Sequence, residues 1–128
     1  MYVEFNNNPL NKKVGDCVIR AISLAENEDW DDTYIELMLK CFTLKDIPSS
    51  NSAWGAYLHD LGYSRHIIPD QCPDCYTIED FTIDYPKGTY ILATGSHVVC
   101  VRDGDYFDTW PSGSECPIYY FTKENLNA

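Results

Sequence analysis

The dipeptide Asp103-Gly104 is the feature that most constrains the fold of this chain. A largely apolar run, Ser96 to Arg102, precedes it, and a run rich in aromatic residues, Asp105 to Trp110, follows it. An Asp-Gly pair between two such runs is among the strongest local signals for a β-hairpin, because both central residues of its tight turn adopt positive φ. The sequence therefore predicts a hairpin with a two-residue turn, in which Arg102 pairs with Asp105.

The register of this hairpin brings two polar side chains together. Counting outward from the turn pairs His97 with Trp110 and puts Asp108 on the same face of the hairpin, as a diagonal neighbour of His97. Diagonal neighbours have backbones about 7–8 Å apart, a separation that two extended side chains can span. A three-residue turn would reverse the parity and separate them. We therefore expect a His97–Asp108 pair, with Trp110 covering the imidazole.

A cysteine much earlier in the chain stands at the predicted start of a helix. Asp16 is a favourable N-cap, Gly15 permits a tight entry, and apolar residues recur at helical spacing after Cys17. The unpaired N–H groups and positive dipole end of a first helical turn favour a thiolate over a thiol, and an adjacent imidazolium lowers the thiol pKa further. Cys17, His97 and Asp108 thus follow the chain order of a nucleophile, its base and the residue that orients the base.

These motifs resemble those of small papain-like cysteine peptidase domains found in bacteria and their phages. The matching segments are Gly15-Asp16-Cys17, Gly95-Ser96-His97-Val98-Val99 and Asp108-Thr109-Trp110, together with a similar strand entry at Tyr85 to Ala93. The resemblance covers most of the chain and implies a cysteine hydrolase that cleaves an amide or isopeptide bond in a peptide or protein. It implies Cys17 as nucleophile, His97 as general base and Asp108 as orienting residue, although papain itself has Asn at the third position.

The resemblance also implies a residue for the oxyanion hole. Papain-like enzymes usually place a Gln or Asn side chain there, about six residues before the nucleophile, and that position is Asn11 in this chain. Several other amides lie in the same loop, from Asn6 to Asn8. Asn11 has the alternative role of supporting a turn.

Each candidate residue also has a purely structural interpretation. Cysteine is among the most buried residue types, so Cys17 could be a packing residue, as we expect for Cys41 and Cys100. His97 could be a core histidine with satisfied hydrogen bonds, and Asp108 could cap a turn.

Size and charge restrict the classes of function. The 128 residues, 45% of them hydrophobic, suit a single domain over residues 1–128. No run approaches the roughly 18 apolar residues of a membrane span, and the first residues lack a signal-peptide pattern, so we expect a cytoplasmic protein with reduced cysteines. The net charge of −11 argues against nucleic acid as a partner, because a phosphate backbone requires a basic patch. It favours a basic or neutral partner.

The distribution of predicted elements indicates an α+β fold, with N-terminal helices packed on a C-terminal antiparallel sheet, as the papain-like resemblance implies. The second predicted helix has an apolar stripe that we expect to face the core: Tyr34, Ile35, Met38, Leu39 and Phe42. The predicted helices are Asp16 to Glu26, Asp32 to Leu44, one through Trp54 to Leu61 with Gly62 after its end, and Ile78 to Ile83 capped by Thr77. The predicted strands are Tyr63 to Ile68, Thr89 to Ala93, Ser96 to Arg102, Asp105 to Trp110, and Ile118 to Thr122.

One further motif suggests a different chemistry. Cys72-Pro73-Asp74-Cys75 has the spacing of half a tetrahedral zinc site. His66, Cys41 or Cys116 would have to complete it, and none belongs to a second Cys-x-x-Cys pair, so we expect no metal and no cofactor. Two alternatives to a hydrolase stay open: a non-catalytic acidic binding or inhibitor module of phage or mobile-element origin, and a Cys-x-x-Cys metal-binding module.

Overall fold

The computed structural model describes residues 1–69 and 75–123, and in these ranges it has four helices and one six-stranded sheet. The α+β class is therefore confirmed. The helices are α1 (Cys17–Ala25), α2 (Trp30–Leu44), α3 (Asn51–Asp60) and α4 (Ile78–Asp84). The strands are β1 (Tyr2–Glu4), β2 (Tyr63–Ile67), β3 (Thr89–Ala93), β4 (Val98–Arg102), β5 (Asp105–Asp108) and β6 (Tyr119–Lys123).

The sheet is mixed, so the prediction of a purely antiparallel sheet is wrong at one edge. Its order is β1-β5-β4-β3-β6-β2, and β1 runs parallel to β5 with Glu4 opposite Asp108. The sequence analysis missed β1 because three residues are too few to show a period. The ladder continues past the strand, since the Phe5 N–H donates to the carbonyl oxygen of Asp108 at 2.7 Å. The N-terminus thus holds the backbone of one candidate site residue.

The central hairpin has the predicted register. Arg102 pairs with Asp105 and Cys100 with Phe107. Asp103 and Gly104 have φ of 49° and 82°, the positive values that a type I′ turn requires.

The two strands of the hairpin are shorter than predicted. β4 begins at Val98 and β5 ends at Asp108, because a tight turn in which the Thr94 N–H donates to the His97 carbonyl oxygen at 2.8 Å precedes β4. His97 and Asp108 therefore lie at one end of the sheet, where side chains are accessible from outside.

The sheet has apolar layers on both faces because β3 and β4 alternate their side chains between two cores. One core contains α1, α2 and α3 with Ile91, Ala93 and Cys100, and the other contains α4 with Leu92 and Val99. Cys41 and Cys100 are buried, as predicted for packing residues.

The predicted apolar stripe of α2 does not face the core, so that prediction is wrong. Leu39 and Phe42 are 61% and 69% exposed, whereas the stripe of Thr33, Leu37 and Cys41 is buried. The helix carries apolar residues on two faces, so the period alone could not select one. Trp30 lies on the buried stripe and its indole N–H donates to Asp16 at 2.9 Å, which fixes the rotation of the helix against α1.

Local signals at other helix ends are confirmed. Gly62 follows α3 with a φ of 99°, and Thr77 forms a capping box with Asp80 at the start of α4. Among the helices within residues 1–69 and 75–123, none is long and apolar enough to cross a membrane.

We expect Thr77→Ala to lower the free energy of unfolding by about 1 kcal/mol, because the Thr77 side chain accepts a hydrogen bond from the Asp80 N–H at the start of α4. Chemical denaturation measures the change. Thr43→Ala is the matched control, since the exposed Thr43 hydroxyl only donates to a carbonyl within α2, and an equal loss in both variants would contradict the capping role.

Candidate active site

Three elements converge where Cys17, His97 and Asp108 lie. Cys17 is the first residue of α1, His97 directly precedes β4, and Asp108 ends β5. Because β4 and β5 are neighbours and α1 packs across β4, the start of α1 lies over this end of the hairpin.

The three side chains interact in sequence, with His97 between Cys17 and Asp108. His97 Nε2 and Asp108 Oδ2 are 2.5 Å apart, with the imidazole donating to the carboxylate. The imidazole also lies close enough to the sulfur of Cys17 to lower the pKa of the thiol and to raise the pKa of His97. The Trp110 ring lies 5.5 Å from the imidazole, centroid to centroid, so it covers His97 as the register predicted.

The carboxylate of Asp108 is 1% exposed and fully occupied by donors. Oδ2 accepts from His97 and from the Ser112 hydroxyl, while Oδ1 accepts from the Thr109 N–H at 2.8 Å and lies 3.4 Å from Arg20 Nη2. A buried carboxylate with this set of donors stays ionised and has little freedom to rotate. The sequence analysis missed Ser112, because nothing local to a loop serine reveals this contact.

Arg20 is the other contributor that the sequence analysis missed. It is 6% exposed, although it lies one turn into a helix beside Cys17. Its guanidinium pairs with Asp16 as well as with Asp108. The available signal was the i, i+4 spacing of Asp16 and Arg20 on an otherwise apolar helix.

Proton affinities at this site favour a thiolate facing an imidazolium. Burial alone would raise the pKa of the Cys17 thiol, but the hydrogen bonds from His97 and from the Val98 N–H, with the positive charges of His97 and Arg20, lower it from its usual value. Burial opposes charge on His97, yet the hydrogen bonds to Asp108 and Cys17 raise its pKa to about 9. Burial likewise disfavours the Asp108 anion, but its contacts with His97 and Ser112 lower the pKa of the carboxyl.

A cavity of about 510 Å³ opens beside Cys17 and His97. Its walls combine the first turn of α1, the turn before β4, the start of α3 and two side chains of α2, Tyr34 and Met38. Both α2 residues belong to the stripe that we expected in the core. Their partial exposure therefore gives the cavity an apolar wall next to the thiol.

Asn11 lies in the loop before α1, in a left-handed conformation with φ of 55°, and is exposed. Its N–H donates to the Asn8 carbonyl oxygen at 2.8 Å, and it does not line the cavity. Its oxyanion role stays a prediction. The first N–H groups of a helix have no intrahelical acceptor, and those of Cys17 and Val18 belong to residues that line the cavity.

The Cys-x-x-Cys motif falls partly outside the described residues, since Cys72 lies in 70–74. Cys75 is disulfide-bonded, so the expectation of fully reduced cysteines is wrong at that residue, while Cys17, Cys41, Cys100 and Cys116 are free thiols. Within residues 1–69 and 75–123, no group of three or more His, Cys, Asp or Glu side chains is arranged to hold a metal ion.

Comparisons with family models, with curated proteins and with solved structures find no match to this chain.

We expect Cys17 to react with iodoacetamide faster than the exposed thiol of Cys116 at pH 7, because a lowered pKa makes more thiolate. The rate should fall as the pH drops through the pKa of Cys17. The midpoint of this fall, the acid limb of the pH profile, should lie below the ordinary pKa of a thiol. His97→Ala removes a hydrogen bond and a positive charge, so the pKa of Cys17 should rise. At a pH below the wild-type pKa, a rise of one unit slows the reaction about tenfold. Peptide mapping by mass spectrometry assigns the rates to each cysteine, and an unchanged Cys17 rate in His97→Ala would contradict the pairing.

We expect Asp108→Ala to slow alkylation of Cys17 more than Asp108→Asn does. Asn keeps one oxygen that can accept from His97 and Ser112, whereas Ala keeps none. The Asn amide would point its NH₂ at Arg20 and at the Thr109 N–H, so Asp108→Asn should also lower the melting temperature. Ser112→Ala, which removes one donor only, is the control, and wild-type Cys17 reactivity in both Asp108 variants would exclude Asp108 from the site.

Proposed function

We propose that this protein is a papain-like cysteine hydrolase that cleaves an amide or isopeptide bond in a peptide or protein. The observation that carries the proposal is the arrangement of Cys17, His97 and Asp108 beside an open cavity: the imidazole is hydrogen-bonded to Asp108 and lies against the thiol, and both Cys17 and His97 line the cavity. A thiol at a helix start, an imidazole before a neighbouring strand and a buried carboxylate behind the imidazole also correspond to the papain-like arrangement that the motifs imply.

In the first step the Cys17 thiolate attacks the carbonyl carbon of the scissile bond and forms a tetrahedral oxyanion. The lowered pKa of Cys17 and the raised pKa of His97 both shift this pair toward thiolate and imidazolium before substrate arrives. The N–H groups at the start of α1 are positioned to donate to this oxyanion, with Asn11 as the side-chain donor that the resemblance implies. One such donor lowers the activation barrier by about 3 kcal/mol.

Collapse of the tetrahedral species breaks the C–N bond and leaves a thioester on Cys17. The leaving amine takes its proton from His97, which becomes neutral and can then accept a proton from an attacking water. Water adds to the thioester, the carboxylic acid departs and the thiolate–imidazolium pair is restored. Asp108 remains a carboxylate throughout and keeps the imidazole oriented.

An acylation experiment tests the proposal. N-acetyl-phenylalanine p-nitrophenyl ester is mixed with the protein, p-nitrophenol release is followed by absorbance, and the protein is then analysed by intact-mass and peptide mapping. We expect an acyl group on Cys17 and release beyond one equivalent. His97→Ala should lower the acylation rate, because it removes the hydrogen bond and the positive charge that lower the pKa of Cys17; each unit by which that pKa rises above the assay pH costs about tenfold in thiolate.

The matched controls separate enzymatic from incidental acylation. Cys17→Ala should give no adduct at position 17 and no release above that of buffer. Cys41→Ala removes a buried thiol that does not line the cavity and should acylate at the wild-type rate. Release that survives Cys17→Ala, or a Cys17 that never acylates, would overturn the hydrolase and favour a non-catalytic binding module.

A further inference from the structure

The guanidinium of Arg20 connects two residues that flank the proposed catalytic groups. It pairs with the Asp16 carboxylate, directly before Cys17, and its Nη2 lies 3.4 Å from Asp108 Oδ1. All three side chains are buried, with exposed fractions of 7% for Arg20, 3% for Asp16 and 1% for Asp108. The first turn of α1 and the end of β5 are therefore joined by one cation.

Buried charges are costly unless every partner is in place. Asp16 satisfies its second oxygen with the Trp30 indole N–H at 2.9 Å, and Asp108 satisfies Oδ2 with His97 and Ser112. Arg20 is thus the group that contacts both carboxylates. On Asp108 it shares Oδ1 with the Thr109 N–H, so both donors leave Oδ2 for the imidazole and for Ser112. A planar guanidinium with several N–H donors can hold two carboxylates in this way, which an ammonium cannot do with the same geometry.

We propose that Arg20 is a positioning residue: its guanidinium locks the Asp108 carboxylate and the first turn of α1 into one arrangement, so that His97 is held between Asp108 and Cys17. The inference rests on the proposed hydrolase function, because it assigns to Arg20 an effect on the reactivity of Cys17. Arg20 acts through Asp108 and through α1, and it has no contact with the cavity.

Loss of Arg20 should raise the pKa of Cys17. Its positive charge helps to lower the pKa of Cys17, and a correctly rotated Asp108 stabilises the imidazolium that does the same. Arg20→Met removes both effects, so the acid limb of Cys17 alkylation should move to higher pH. A rise of half a pKa unit lowers the rate on that limb about threefold. Arg20→Lys keeps a charge but not the double contact, so its limb should lie between those of Arg20→Met and the wild type.

The experiment compares the pH dependence of Cys17 alkylation by iodoacetamide, with melting temperatures, in the wild type, Arg20→Met and Arg20→Lys. Tyr63→Phe is the matched control, because it removes a hydrogen bond to Glu26 at the other end of α1. It should lower the melting temperature and leave the pH profile unchanged. The graded shift in the two Arg20 variants, with none in the control, supports the positioning role.

Two results would overturn it. If a folded Arg20→Met or Arg20→Lys gives the wild-type pH profile, or if neither variant folds, Arg20 serves only the stability of the fold. Failure of the proposed function looks different, because wild-type Cys17 would then have no His97-dependent reactivity. If the reactivity of Cys17 depends on His97 but the Arg20 variants keep the wild-type pH profile, the proposed hydrolase function stands and only the positioning role of Arg20 is lost.

Discussion

The buried carboxylate of Asp108 is the constraint on which the rest of the site depends. An ionised group that is 1% exposed must be surrounded by donors, and here they come from three parts of the chain: the turn before β4, the segment after β5 that carries Thr109 and Ser112, and α1. Each donor is useful only if its own element is held in place. The need to satisfy one anion therefore connects the hairpin, the loop that carries Ser112 and the helix that carries Cys17.

The backbone of Asp108 is held just as firmly as its side chain. Its carbonyl oxygen accepts from the Phe5 N–H and from the Tyr2 hydroxyl, at 2.7 and 3.3 Å, so β1 closes the edge of the sheet beside the site. On the other side of the imidazole, α1 brings its N-terminal end over β4. The N-terminal end of α1 and the positive charges of His97 and Arg20 give the thiol a positive environment.

Short-range features were predictable because they depend on neighbours in the chain. The Asp103-Gly104 turn determines its own φ values, and these set the register that brings His97 and Asp108 to one face. The Thr77 capping box and the Gly62 helix end are equally local. The orientation of α2 was not predictable, because the helix carries apolar residues on two faces; the face that is buried is the one from which Trp30 reaches Asp16, a contact between helices.

By itself, the sequence determined the α+β class, the hairpin with its register and the placement of Cys17 at a helix start, since each follows from local backbone preference or from periodicity. Only the tertiary structure decided that Cys17 lies against His97, that Arg20 and Ser112 complete the shell of Asp108, and that Tyr34 and Met38 form a cavity wall instead of a core. The physical reason is that burial and charge pairing are properties of groups brought together from distant parts of the chain. Their free energy depends on what surrounds them, and no local pattern records it.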